Sequence, residues 1–148
     1  MTRFYLPLFL DISDKRILIV GGGKVALTKT KSILQFTDRV TVIAPQILPE
    51  IRDLGVICIE QTYTPTVFTD KDIVYACTDD SYLNQCIRQD AHHRHLLVNT
   101  VDDPTHCDFI SPAIYQSGAM TVAVSSGGTD IRQAITWRNR IKDVFENV

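Results

Sequence analysis

Nowhere in these 148 residues is there an apolar run long enough to cross a bilayer, and neither sign of charge dominates: 15 basic residues stand against 17 acidic ones. The first absence leaves a membrane-spanning role without a segment to carry it, and the second removes the basic footprint by which proteins hold nucleic acid. Cysteine is scarce and unpatterned. Cys58, Cys77, Cys86 and Cys107 form no C-x-x-C pair, which argues against a disulfide framework and for reduced thiols in the cytosol. The N-terminal Phe4–Leu10 stretch is apolar, but it has no basic lead beyond Arg3, is broken by Pro7 and is followed by no small-residue cleavage site. It reads as an edge strand or packing segment rather than a secretion signal. Internal repeats and low-complexity tracts are also lacking, and the 22% charged and 45% hydrophobic content is that of a soluble globular protein.

What is present starts at Arg16-Ile17-Leu18-Ile19-Val20, an apolar run that breaks into Gly21-Gly22-Gly23 and continues as Lys24-Val25-Ala26. This spacing predicts a strand, a tight turn and a helix start, with Gly21, Gly23 and Ala26 in the places of the G-x-G-x-x-G/A fingerprint of dinucleotide sites. Gly21 permits the sharp turn, Gly23 lets backbone approach a pyrophosphate, and Ala26 lets helix and strand pack closely. The helix N-terminus adds free N–H groups and partial positive charge, so the turn suits an anion. By itself the motif is weak, because glycine-rich turns also simply end strands.

Its context strengthens it. Residues 39–44 (RVTVIA) read as a buried strand, 49–54 as one or two helical turns, 56–63 (VICIEQTY) as an alternating strand, 72–78 (DIVYACT) as a fourth strand, 81–93 as a helix and 96–99 as a fifth strand. Alternating strands and helices predict a Rossmann-type, doubly wound parallel sheet. After Pro112 the texture changes: residues 119–125 read as a strand and 130–148 as a final helix. Ile131, Ala134, Ile135, Trp137, Ile141, Val144 and Val148 give that helix a wide apolar side, which a second subunit would cover. The expected organisation is an α/β nucleotide domain over 1–113 and a short α+β dimerisation and substrate-cleft segment over 114–148.

In such a sheet ligands sit beyond the carboxyl ends of the strands. The residues there are Gly21-Gly22-Gly23, Ala44-Pro45-Gln46, Thr78-Asp79-Asp80 and Asn99-Thr100-Val101-Asp102-Asp103. The acidic residue or arginine that would normally choose between NAD and NADP after the second strand is missing at Ala44-Pro45-Gln46, so the ribose falls to backbone or Gln46 and the choice stays open. Asp79 and Asp80 serve either as helix caps or as ligand contacts. Asp102 and Asp103, at a strand tip, are placed to accept a proton as hydride leaves, although Asp-Asp-Pro is also ordinary turn sequence. His92, His93 and His95 suit a polar helix end better than a metal, and no metal ligand set is assigned. Cys107 reads more as a buried thiol than as a nucleophile. Arg132, Arg138, Arg140 and Lys142 on the last helix form a solvated face or attract a polycarboxylate.

Taken in order, Gly21-Gly22-Gly23-Lys24-Val25-Ala26 with Lys29, Asn99-Thr100-Val101-Asp102-Asp103-Pro104, Cys107-Asp108-Phe109, Pro112-Ala113 and Val124-Ser125-Ser126-Gly127-Gly128 resemble the precorrin-2 dehydrogenases, stand-alone relatives of the N-terminal module of siroheme synthase. The resemblance covers essentially the whole chain. It implies NAD-dependent oxidation of precorrin-2 to sirohydrochlorin by a cytoplasmic homodimer, on the path to siroheme and in some organisms cobalamin. The family's essential aspartate falls on Asp102. Cofactor contacts would come from Gly21, Gly22, Gly23, Lys24, Val25, Ala44, Pro45, Gln46, Thr78 and Asp79, and contacts to the tetrapyrrole polycarboxylate from Asp103, Ser125 and Ser126. Ser126 also matches a serine that is phosphorylated in a fused member.

Three departures qualify the match. Thr28 stands where the family commonly has Arg before its Lys, and Asp130-Ile131 replaces a Ser-Pro. The end at Val148 omits the C-terminal helical domain that helps enclose the substrate in bifunctional members. The expectation is therefore a dehydrogenase with little chelatase activity, a separate chelatase acting as its partner. The alternatives are a bifunctional dehydrogenase and ferrochelatase, or a non-catalytic NAD-sensing module. A short-chain dehydrogenase is disfavoured because no Tyr is followed four residues later by Lys.

Overall fold

The computed structural model describes residues 2–101 and 103–147. Along the chain run β1 (Ile17–Val20), α1 (Lys24–Ile33), β2 (Val40–Ala44), α2 (Pro49–Arg52), β3 (Ile57–Glu60), a 3-10 turn (Pro65–Phe68), β4 (Ile73–Ala76), α3 (Ser81–His93), β5 (Leu97–Thr100), a second 3-10 turn (Pro104–His106), β6 (Ala113–Ser117), β7 (Met120–Val124) and α4 (Ile131–Glu146). They fall into two units, residues 8–108 and residues 109–148 with 1–7.

The larger unit is a five-stranded parallel sheet in the order β3-β2-β1-β4-β5. β1, β2 and β4 carry continuous Val/Ile/Leu runs because a parallel sheet wound on both sides buries both faces of its central strands. Leu18, Val20, Ile43, Val74, Ala76, Ile87, Ala91 and Val98 form one core, closed by Val67 and Phe68 from the first 3-10 turn. Each such large side chain contributes roughly 1.5–3 kcal/mol by leaving water. β3 differs from its half-buried expectation: it lies at the sheet edge, and only Cys58 is partly covered. The topological switch point lies between β1 and β4, where the winding direction reverses.

The smaller unit is the β6-β7 antiparallel hairpin with α4, whose Arg138 donates through Nη1 to the Ile114 carbonyl at 3.1 Å. β6 is absent from the sequence reading. Its signal was the Ser117-Gly118-Ala119-Met120 turn, where Gly118 at φ +57° supplies the first central residue of a two-residue hairpin and pairs Ser117 with Met120. The Phe4–Leu10 stretch forms no strand, and Phe4, Leu6, Leu8 and Phe9 are exposed. Its hydrophobicity is real, but no sheet edge receives it. Among the described residues no helix is long and apolar enough to cross a membrane.

Candidate functional site

The end of β1 reaches the switch point through a turn that only glycine fits at two positions. Gly21 has φ +135°, and a Cβ there would lie 2.4 Å from the Cys77 carbonyl oxygen at the end of β4. A Cβ on Gly22 would lie 2.1 Å from the Gln46 carbonyl oxygen, and the Gly22 carbonyl accepts from the Leu48 N–H at 2.9 Å. Gly22 thus fastens the turn to the loop after β2, a packing role that the fingerprint alone does not reveal. Gly23 is different in kind: a Cβ there would meet nothing within 4 Å. Protein packing does not explain this glycine, whereas a backbone held open for a ligand does.

Gly23 is the N-cap of α1 without a side-chain hydrogen bond, and the first turn holds no acidic residue. Lys24 and the half-exposed Val25 open the helix, and Ala26 is buried as the close-packed third position. Pro45 and Gln46 are exposed after β2, while Ala44 is buried with its carbonyl accepting from the Gln61 N–H at 3.1 Å. At the end of β4, Asp80 is the cap of α3, accepting from the Tyr82 and Leu83 N–H groups at 3.0 and 3.2 Å, and Asp79 is exposed beside it. Thr78 is held by the side chain of Asn84, which the sequence reading passed over. A polar residue in line with Ile87 and Ala91 on the buried side of α3 was the available signal.

The Lys29 ammonium lies 5.9 Å from the Tyr75 ring centroid, within cation–π reach. Burial lowers the Lys29 pKa, opposed by the nearby Cys77 and Cys107 thiols. Burial, with a smaller effect of Cys77, pushes the Tyr75 phenol up to about 12, so it stays protonated at neutral pH. At the end of β5 the Thr100 hydroxyl is buried with no hydrogen-bond partner among the described residues.

Asp102 lies outside the described residues. Asp103 accepts from the Thr105 hydroxyl at 2.6 Å and pairs with His106, and these bonds, Thr105 first, hold its carboxyl below the usual range. Cys107 is buried against β5: its Sγ accepts from the Thr100 N–H at 3.1 Å, and burial raises its pKa. A protonated thiol in that setting is inert. His92 pairs with Asp108 at 2.9 Å. In the smaller unit, Ser125 Oγ accepts from the Gly127 N–H at 3.0 Å and Ser126 Oγ from the Asp130 N–H at 2.7 Å. Both serines shape the loop before α4, and Asp130 in turn caps that helix through the Gln133 N–H at 2.9 Å.

The open space at Gly23, the uncapped and acid-free first turn of α1 and the placement at the switch point fit a dinucleotide. Residues 8–113 match a family model described as "Putative NAD(P)-binding". The chain belongs to this NAD(P)-binding family. It is 35% identical over 145 residues to a siroheme synthase of Sodalis glossinidius and 37% identical over 145 residues to one of Chromobacterium violaceum, each match covering 95% of this chain and 31% of the relative. A siroheme synthase of Zymomonas mobilis is 40% identical over 129 residues, 84% of this chain and 27% of that protein. This NAD(P)-binding chain therefore spans about a third of the length of the curated relatives it matches. Its fold is also that of the solved structure of SirC, precorrin-2 dehydrogenase, with a TM-score of 0.79 at 24% identity over 97% of this chain and 71% of the other.

Proposed function

We propose that the chain oxidises precorrin-2 to sirohydrochlorin with NAD as cofactor, a step towards siroheme. The observation that carries this reading is the glycine turn at the switch point, open at Gly23 and leading into a helix with no side-chain cap, in a chain akin to siroheme synthases. The name of the solved relative, a precorrin-2 dehydrogenase, supports the same reaction.

The residues take the following roles. The backbone of Gly21, Gly22 and Gly23 with the first turn of α1, Lys24 and Val25 included, holds the pyrophosphate. Ala44, Pro45 and Gln46 border one ribose, and Thr78 and Asp79 the other end of the crevice. When bound, the nicotinamide supplies the hydride-accepting centre. Asp102 takes the proton that leaves the tetrapyrrole as the hydride departs, a role for which a carboxylate ionised at neutral pH is suited. Asp103, Ser125 and Ser126 are placed near the substrate in this reading. Arg132, Arg140 and Lys142 offer positive charge to its carboxylates. The enzyme acts in the cytoplasm as a homodimer through residues 114–148, and residues 1–113 form its nucleotide domain.

The test is anaerobic turnover of enzymatically generated precorrin-2, followed by sirohydrochlorin absorbance, with NAD and NADP supplied separately to the wild type and to Asp102→Asn. Product formation that needs NAD and falls at least about 100-fold in Asp102→Asn is expected, the scale of a lost general base. NAD binding without turnover would overturn the enzyme reading in favour of a sensing module.

A further inference from the structure

Asn84 is fully buried on α3, yet its carboxamide is turned back onto the end of β4. Its Oδ1 accepts from the Thr78 N–H at 3.1 Å and from the Thr78 hydroxyl at 2.6 Å, and its Nδ2 donates to the Thr78 carbonyl at 3.0 Å. A carboxamide presents an acceptor and a donor side by side, so one side chain serves both backbone groups of a strand end that has run out of ladder partners. The same Thr78 hydroxyl accepts from the Asp80 N–H at 3.2 Å, and Asp80 caps α3. The turn from β4 into α3 is therefore bolted from both sides.

Both hydrogen-bond donors of Thr78 are thereby engaged inside the protein. Asp79, exposed and next in the chain, is left as the residue of this turn that can meet a ligand. It stands one residue beyond Thr78 and two beyond Cys77, the residue whose carbonyl oxygen closes on Gly21. A carboxylate here accepts hydrogen bonds from ribose hydroxyls, whereas a pyrophosphate would repel it. The loop after β2 carries no such acid.

We infer that Asn84 is a positioning residue of the dinucleotide site: it locks the Thr78-Asp79 turn so that the Asp79 carboxylate recognises a ribose of the cofactor. The inference rests on the NAD binding proposed above and assigns a selectivity element to it. Asn84 acts through Thr78 and Asp79 without touching the ligand.

The experiment measures the Kd for NAD of the full chain by calorimetry, well below each variant's Tm, for Asn84→Ala, Asp79→Ala and the double variant. Each single change is expected to weaken binding about tenfold, the scale of one lost hydrogen bond to a charged group. The double variant should be little weaker than either single one, because Asp79 contributes only while the turn is fixed. Thr78→Val, which loses the hydroxyl, should bind NAD several-fold more weakly than wild type. If Asn84→Ala does not fold, the cycle of Thr78→Val with Asp79→Ala carries the same test, since Thr78→Val removes the shortest bond to Asn84. An Asn84→Ala variant with lowered Tm but unchanged Kd, or full additivity in either cycle, would overturn the inference. Failure of the wild type to bind NAD would overturn the function proposed above, and this inference with it.

Discussion

At the scale of single residues, the three consecutive glycines illustrate how one composition serves three purposes. Gly21 answers to backbone conformation and to the Cys77 carbonyl, Gly22 to the Gln46 carbonyl, and Gly23 to nothing among the described residues. The first prediction separates them. Gly21→Ala, with a Cβ 2.4 Å from a backbone oxygen at φ +135°, should lose about 2–4 kcal/mol of stability in urea unfolding. Gly23→Ala should stay within about 0.5 kcal/mol of wild type, because its site is open and surface-like, while NAD binding measured by calorimetry weakens markedly. Equal destabilisation by both changes would remove the argument that Gly23 is kept for a ligand. The motif itself was legible in sequence, but the division of labour was not. It depends on which carbonyl oxygens of distant segments arrive beside each Cα, and nothing local to residues 21–23 encodes that.

At the scale of elements, patterning located nearly all the pieces. The 81–93 helix has the bounds expected from its Asp cap and its polar His end, β1, β2 and β4 fall within their apolar runs, and β5 is shifted one residue beyond 96–99. The miss, β6, lacks a buried face to impose a pattern, and its pairing is dictated by the turn at Gly118. The contact between α1 and β4 carries the second prediction. Tyr75 is raised from 10 to about 12 chiefly by burial, and burial also raises Tyr63, whose hydroxyl donates to Asp90 at 2.8 Å. A phenol with a folded pKa above its unfolded value favours the folded state fully below pH 10, and that contribution disappears as pH rises from 10 through 12. Urea unfolding at pH 8 and pH 11 should therefore show an alkaline loss of stability that is smaller in Tyr75→Phe. An identical loss in both proteins would mean that the Tyr75 phenol is not shielded in the way its burial requires.

At the scale of the whole molecule, apolar surface remains exposed where the proposed dimer would form. In the smaller unit Met120, Ile131, Trp137, Val144 and Phe145 are all more than half exposed, and the buried side of α4 is limited to Ala134. Exposed apolar surface on this scale marks an association site, and the homodimer proposed above would cover it. Sedimentation velocity should find a dimer in the wild type and a shift to monomer in Trp137→Glu, with far-UV circular dichroism unchanged. A monomeric wild type at tens of micromolar would overturn the proposal.

The sequence by itself determined the class of fold and the location of the glycine turn after β1. Both are written in short-range patterns: buried strand runs alternating with helices, and glycines spaced for one turn. The same order of motifs pointed to the precorrin-2 dehydrogenases, relatives of the N-terminal module of siroheme synthase. Tertiary structure decided what those patterns could not express. It set Gly22 against Gln46, brought Asn84 from α3 to the end of β4, placed Lys29 over Tyr75, and gave Ser125 and Ser126 internal partners in the loop before α4. The physical reason is range. Periodicity and turn propensity act over a few residues, whereas the satisfaction of a buried polar group depends on which distant atoms the packed sheet brings within about 3 Å.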